Sequence, residues 1–130
     1  MCKAGDIIVV KNYKSNGKEL SQHSFVVLSD EAGKIHGLDY DIICNVLSSF
    51  KDEKQHIKKM KYDNFPVAFD DYDPIQGNKG RGYIKADQFY YFNKDKLDYI
   101  AIGQMKPDIF ELLIEFIQKI NRIEHIIDNL

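Results

Sequence analysis

The apolar positions of this chain fall into short β-branched runs separated by polar stretches, until a different spacing takes over near the C-terminus. Ile7-Ile8-Val9-Val10, Phe25-Val26-Val27-Leu28 and Ile42-Ile43-Cys44-Asn45-Val46-Leu47 are the clearest runs. Side chains of this kind are stiff at χ1 and pack well on a pleated surface, so these runs predict buried strands. Strands are expected over 5–10, 23–29 and 41–49, the first fed by a Gly5-Asp6 turn. Residues 11–22 are polar around Ser15-Asn16-Gly17 and read as an exposed loop, and Asp30-Glu31-Ala32-Gly33-Lys34 reads as a tight turn. A short strand is expected over 65–69. The chain must leave it at Asp70-Asp71-Tyr72-Asp73-Pro74, because proline cannot serve a central ladder. Tyr83 to Phe92 has strand composition with an interruption near Ala86, and Tyr99 to Met105 reads as the last strand.

After Met105 the period changes. Pro107-Asp108 suits a helix start, with proline in the first turn and an acid near the positive end of the dipole. Ile109, Leu113, Phe116, Ile120, Ile123, Ile127 and Leu130 then repeat at steps of four and three, widened by Phe110, Leu112 and Ile117. This spacing predicts one helix over 107–128 that packs on the strands and on a second subunit. No repeat or low-complexity linker divides the chain. A single domain over 1–130 is expected, mainly β over 4–106 with a C-terminal helix, in the manner of a small antiparallel barrel.

Composition narrows the function classes. A chain of 130 residues with 44% hydrophobic content can bury a core without disulfides or metal. The net charge of −2 announces no nucleic-acid or membrane partner in bulk, so any such binding needs a local patch. Cys2 and Cys44 match no metal or redox spacing and fit free thiols in a reducing compartment. The apolar run after Asp6 is too short for a signal-peptide core, and no stretch reaches transmembrane length, so a cytoplasmic protein without a membrane partner is expected.

The third run carries the candidate chemistry. It stops in Ser48-Ser49-Phe50-Lys51, which sets two hydroxyls and a cation at the end of a rigid strand, where side chains can be held without being buried. Directly after it, Lys51, Lys54, Lys58, Lys59 and Lys61 with His56 form the one place where the charge balance breaks. Gly77-Asn78-Lys79-Gly80-Arg81-Gly82 is a second basic segment whose Lys79 and Arg81 can close over a phosphate. It is not a phosphate-loop motif, since no Gly-Lys-Ser/Thr ending follows. Tyr62, Tyr72 and Tyr83 are candidates for stacking on unpaired bases. Asp70, Asp71 and Asp73 do not make a calcium loop, because Ile75 holds the next ligand position. Each feature also has a plainer reading: serines end strands through local turns, and lysine runs form solvated faces.

Taken in order, Gly5-Asp6-Ile7-Ile8-Val9-Val10, His23-Ser24-Phe25-Val26-Val27-Leu28-Ser29, Val46-Leu47-Ser48-Ser49, Tyr83-Ile84-Lys85-Ala86-Asp87-Gln88 and Ile102-Gly103-Gln104-Met105 resemble the PemK/MazF toxins of bacterial toxin-antitoxin systems. The resemblance implies an SH3-like barrel, a homodimer that cuts single-stranded RNA without metal or other cofactor and is held inactive by an antitoxin. The family's catalytic threonine falls on Ser48. Its arginine, from an Arg-Pro pair, falls on His23, followed here by Ser24. Leu47-Ser48-Ser49-Phe50-Lys51 is also similar to the Leu-Thr-Ser-x-Lys segment of ToxN-type toxins, whose antitoxin is an RNA. The resemblance thus implies a site of His23, Ser48, Ser49 and Lys51, with Lys54, Lys58, Lys59, Lys79 and Arg81 binding RNA. Histidine can carry a proton where arginine cannot, so His23 is the expected acid-base group. The alternative is a catalytically silent SH3-like barrel that binds nucleic acid or a protein partner, and the missing Arg-Pro pair supports it.

Overall fold

The computed structural model describes residues 3–11, 14–15, 18–19, 23–49, 64–67, 72–74 and 82–126, with backbone alone for 14–15, 18–19, 23, 49, 72–74 and 94. Among the described residues, thirteen strands and one α-helix follow in order: β1 Asp6–Val10, β2 Lys14–Ser15, β3 Lys18–Glu19, β4 His23–Ser29, β5 Gly33–Ile35, β6 Leu38–Tyr40, β7 Ile42–Ser49, β8 Asn64–Val67, β9 Tyr72–Pro74, β10 Gly82–Lys85, β11 Gln88–Phe92, β12 Tyr99–Met105, α1 Pro107–Gln118 and β13 Glu124–Ile126. The main sheet runs β13-β11-β7-β4-β1-β12-β9, with β10 bridging β7 and β8. Its pairings are antiparallel except for β11 with β13. The mainly β architecture with a helix near the C-terminus is therefore as expected. Among the described residues no pairing closes this path into a barrel.

The unbroken apolar runs have a simple cause: both faces of β1, β4 and β7 are buried. Ile8, Val10, Phe25, Val27, Ile42, Cys44, Val46, Tyr90 and Phe92 form one cluster, joined by Leu97, Tyr99 and Ile126. The intervening residues Ile7, Val26 and Leu47 belong to a second cluster with Ile84, Ile102, Met105 and Leu113 of α1. Strands buried on both faces lose the alternation of apolar and polar positions that a half-exposed sheet would show. Among the described residues no α-helix contributes to the first cluster.

The chain enters β1 through a tight turn. Asp6 N–H donates to the Lys3 carbonyl (3.0 Å), and Gly5 stands at φ +93°, a conformation that disfavours any side chain. Asp6 also accepts from Lys3 N–H (3.0 Å) and from the Gln104 amide (3.3 Å), tying β1 to the end of β12.

Three expectations need correction. Residues 11–22, read as a loop, include the antiparallel pair β2–β3, with Lys14 opposite Glu19 and Ser15 opposite Lys18. The tight turn at 30–34 is the start of a hairpin, β5–β6, whose two-residue turn is His36-Gly37 at φ 50° and 80°. Both residues in the left-handed region are what such hairpins require, and Gly37 was the legible half of the signal. The predicted helix over 107–128 ends at Gln118, and Glu124–Ile126 is a strand. A helical seam and a strand compete for the same isoleucines. The strand prevails because the outer edge of β11 needs hydrogen-bonding partners, which Glu124–Ile126 supplies, while Ile126 packs against the first cluster. Pro74 behaves as proline should, since β9 is the last strand on the sheet path.

Candidate functional site

Six strand ends meet at one rim of the sheet. β1 pairs Val10 with His23 at the start of β4, and the β4–β7 ladder pairs Phe25 with Val46 and Ser24 with Leu47. Ser24–Leu47 is the last pair of that ladder at this end, and His23 and Ser48 are the next residues beyond it on the two strands. On its other side Ser48 pairs with Tyr83, and Ser49 with Gly82; β8 lies beyond, with Pro66 opposite Tyr83 and Val67 opposite Gly82. Two short rows thus reach this rim: Tyr99, Val10, His23 on one side and Ser48, Tyr83, Pro66 on the other.

The second row holds Ser48 in a defined setting. Val10 is fully buried and Tyr83 is 5% exposed, whereas Ser48 is half-buried. A half-buried hydroxyl on a strand flanked on both sides is fixed by its neighbours yet reachable from solvent. Tyr83 is thus a wall of the row, and its burial removes it from the rings offered for base stacking. The side chains of His23 and Ser49, and the whole of Lys51, Lys54, Lys58, Lys59, Lys79, Arg81, Tyr62 and the Tyr72 ring, lie outside the described residues. The two basic segments nonetheless join the sheet at one place. The first leaves from Ser49 and the second enters at Gly82, which is Ser49's ladder partner.

The other end of β7 carries a different cluster. Tyr91 of β11, opposite Ile43, shares a 2.7 Å hydrogen bond with Nδ1 of His125 on β13. Tyr40 packs edge-on against Tyr91 with ring centres 5.0 Å apart, and Phe89 packs edge-on against His125 at 6.1 Å. Burial, and then the neighbouring Tyr40 phenol, push the Tyr91 phenol above its usual value. This His-Tyr pair was not singled out in the sequence. Phe89 and Tyr91 alternate within a strand, but the partner that brings His125 to them is a strand where a helix was expected.

Among the described residues no group of His, Cys, Asp and Glu is arranged to hold a metal ion, and no helix is long and apolar enough to cross a membrane. Cys44 is buried inside the first cluster and forms no disulfide. Lys85 and Gln88 lie on β10 and β11. Gln88 accepts from the Tyr90 hydroxyl (3.2 Å) and donates to Glu124 (3.5 Å), which helps attach β13. Compared with known proteins, the chain matches no protein-family model and no curated protein.

Proposed function

We propose that this chain is a toxin of the PemK/MazF type: a cytoplasmic SH3-like barrel, homodimeric and neutralised by a protein or RNA antitoxin, that cleaves single-stranded RNA without a metal. The observation that carries the reading is that His23 and Ser48 flank the Ser24–Leu47 pair at the rim where two lysine- or arginine-bearing segments join the sheet. Loops gathered at one end of a rigid sheet are where binding and chemistry concentrate.

In the proposed reaction His23 takes the proton of a ribose 2′-OH, and the 2′-oxygen attacks the adjacent phosphorus. The bond from phosphorus to the 5′-oxygen breaks, and the leaving oxygen gains a proton. The products are a 2′,3′-cyclic phosphate and a 5′-OH. Ser48 and Ser49 donate to the nonbridging oxygens, and Lys51 supplies charge as the phosphorane forms. Such fixed donors are worth roughly 10²- to 10³-fold each, and acid-base help roughly 10²- to 10⁴-fold. Lys54, Lys58, Lys59, Lys79 and Arg81 hold the backbone of the strand, so binding weakens as salt rises.

The test is incubation of the purified protein and its Ser48→Ala variant with mixed-sequence single-stranded RNA in EDTA, followed by analysis of the fragment ends. Cyclic phosphate ends from the native protein alone are expected. Salt-sensitive binding without cleavage would instead assign the rim to a catalytically silent barrel.

A further inference from the structure

Asn45 is the only polar residue between Ile42 and Leu47, and it is fully buried. On one side it is paired with Val26 of β4. On the other side β7 changes partner: Ile42–Cys44 pair with β11, whereas Leu47–Ser49 pair with β10. Two residues, Asn45 and Val46, lie between the two sets of pairs on β7, but five, Lys85 to Phe89, lie between them on the facing chain. The surplus forms a bulge with its turn at Ala86-Asp87.

A bulge interrupts the ladder and leaves backbone groups without their cross-strand partners. Here a side chain supplies one. Asn45 Nδ2–H donates to the Gln88 carbonyl at 2.8 Å, across the gap between the two ladders. Its Oδ1 has no hydrogen-bond partner among the described residues. An apolar residue of the same size would avoid that orphan oxygen, so asparagine suits this site through its one donated bond.

We infer that Asn45 is a positioning residue: its amide pins the bulge and so fixes the register in which β10 meets the Ser48–Ser49 end of β7. The consequence for RNA cleavage rests on the nuclease reading above; the consequence for the register does not. A one-residue slip of β10 would turn Tyr83 to the opposite face and take the wall away from Ser48. The residue touches no reacting atom and acts three positions along a stiff strand.

The test is Asn45→Leu, which removes both the bond and the orphan oxygen without opening a cavity. Amide hydrogen exchange, unfolding and RNA cleavage are measured on the full chain. Global stability is expected to hold. Amides of Leu47–Ser49 and Gly82–Ile84 should exchange about fivefold faster while Phe25–Val27 stay unchanged, as the loss of one local bond implies. Cleavage should fall roughly ten- to a hundredfold in kcat with KM little changed, since a displaced group costs rate more than binding. Asn45→Asp, equal in shape but with only acceptors facing the carbonyl when ionised, should fail to restore either quantity. Native exchange and native kcat in Asn45→Leu would overturn the inference. If the native protein cuts no RNA, the nuclease reading fails alone and the exchange measurement still decides the role of Asn45. Should Asn45→Leu not fold, Asn45→Ser, whose shorter side chain leaves the Gln88 carbonyl unpaired, is held to the same exchange pattern, native exchange again overturning the inference.

Discussion

The two ends of β7 are built from the same strand and put to opposite uses. At the Ile42–Cys44 end, aromatic rings close over the ladder: Phe25 meets Tyr90 and Phe92 edge-on at 5.0 and 5.2 Å inside the first cluster, and Tyr40, Tyr91 and His125 pack together on the outer side. At the Ser48–Ser49 end the apolar run gives way to hydroxyls, and the chain leaves toward its lysine-rich segment. Each end has a histidine and a hydroxyl-bearing residue on neighbouring strands. At the aromatic end the pair is joined by a 2.7 Å hydrogen bond and set among rings, so its groups already satisfy one another. At the rim the histidine and serine belong to adjacent strands where two cationic segments join. The strand order thus puts Ser48 where the chain leaves for one basic segment and returns from the other, and Tyr91 among rings.

The sharpest way to break this comparison is to weaken each end in turn. Phe92→Ala removes a ring that is 1% exposed and packed against Phe25 and Tyr90, and should cost about 3–5 kcal/mol, read from the shift of a denaturation midpoint. Ser48→Ala should change stability by under about 1 kcal/mol, since its hydroxyl is half-buried and leaves no large void. RNA cleavage by Ser48→Ala should nevertheless fall by about 10²- to 10³-fold. Equal effects of the two variants on stability would mean that the rim is as structural as the aromatic end.

How much of this was legible follows the same division. The strands Asp6–Val10, His23–Ser29, Ile42–Ser49 and Tyr99–Met105 were readable because β-branched runs admit few other settings. The break near Ala86 was readable as an interruption, but not as a bulge held by Asn45, because that contact spans 43 positions and leaves no local mark. Glu124–Ile126 was misread since isoleucines at helical spacing also serve a strand, and only the open edge of β11 decides between them. At the rim the sequence offered only residue types, Ser48-Ser49 and His23. The rows of neighbours there were not legible, because cross-strand register depends on bulges and turns far along the chain.

A smaller effect sharpens the aromatic end from below. A Cβ at Gly33 would stand 2.5 Å from the Tyr40 hydroxyl oxygen and 2.8 Å from its ring, as Gly33 is Tyr40's partner across the β5–β6 hairpin. Gly33→Ala should therefore push Tyr40 off Tyr91, at a cost of about 1–3 kcal/mol in thermal or denaturant unfolding. Cleavage at the rim should be unaffected. A Gly33→Ala protein as stable as the native one would show that Tyr40 moves freely and that its packing on Tyr91 contributes nothing.

The smallest effect concerns the Tyr91 hydroxyl and appears only in alkali. Burial, followed by the nearby Tyr40 phenol, raises the Tyr91 value above the 10.0 of a free tyrosine, so the folded chain holds that proton more tightly than the unfolded chain does. Stability from this source is fully present below pH 10 and is lost as pH rises through the raised folded value. Stability measured from pH 8 upward should accordingly decline above pH 10, and Tyr91→Phe should flatten that decline while giving up the bond to His125. The two contributions separate by pH: the lost bond lowers stability throughout, whereas the titration changes only its slope. An unchanged slope in Tyr91→Phe would place the alkaline loss on another phenol, and the aromatic end would then owe its strength to ring packing alone.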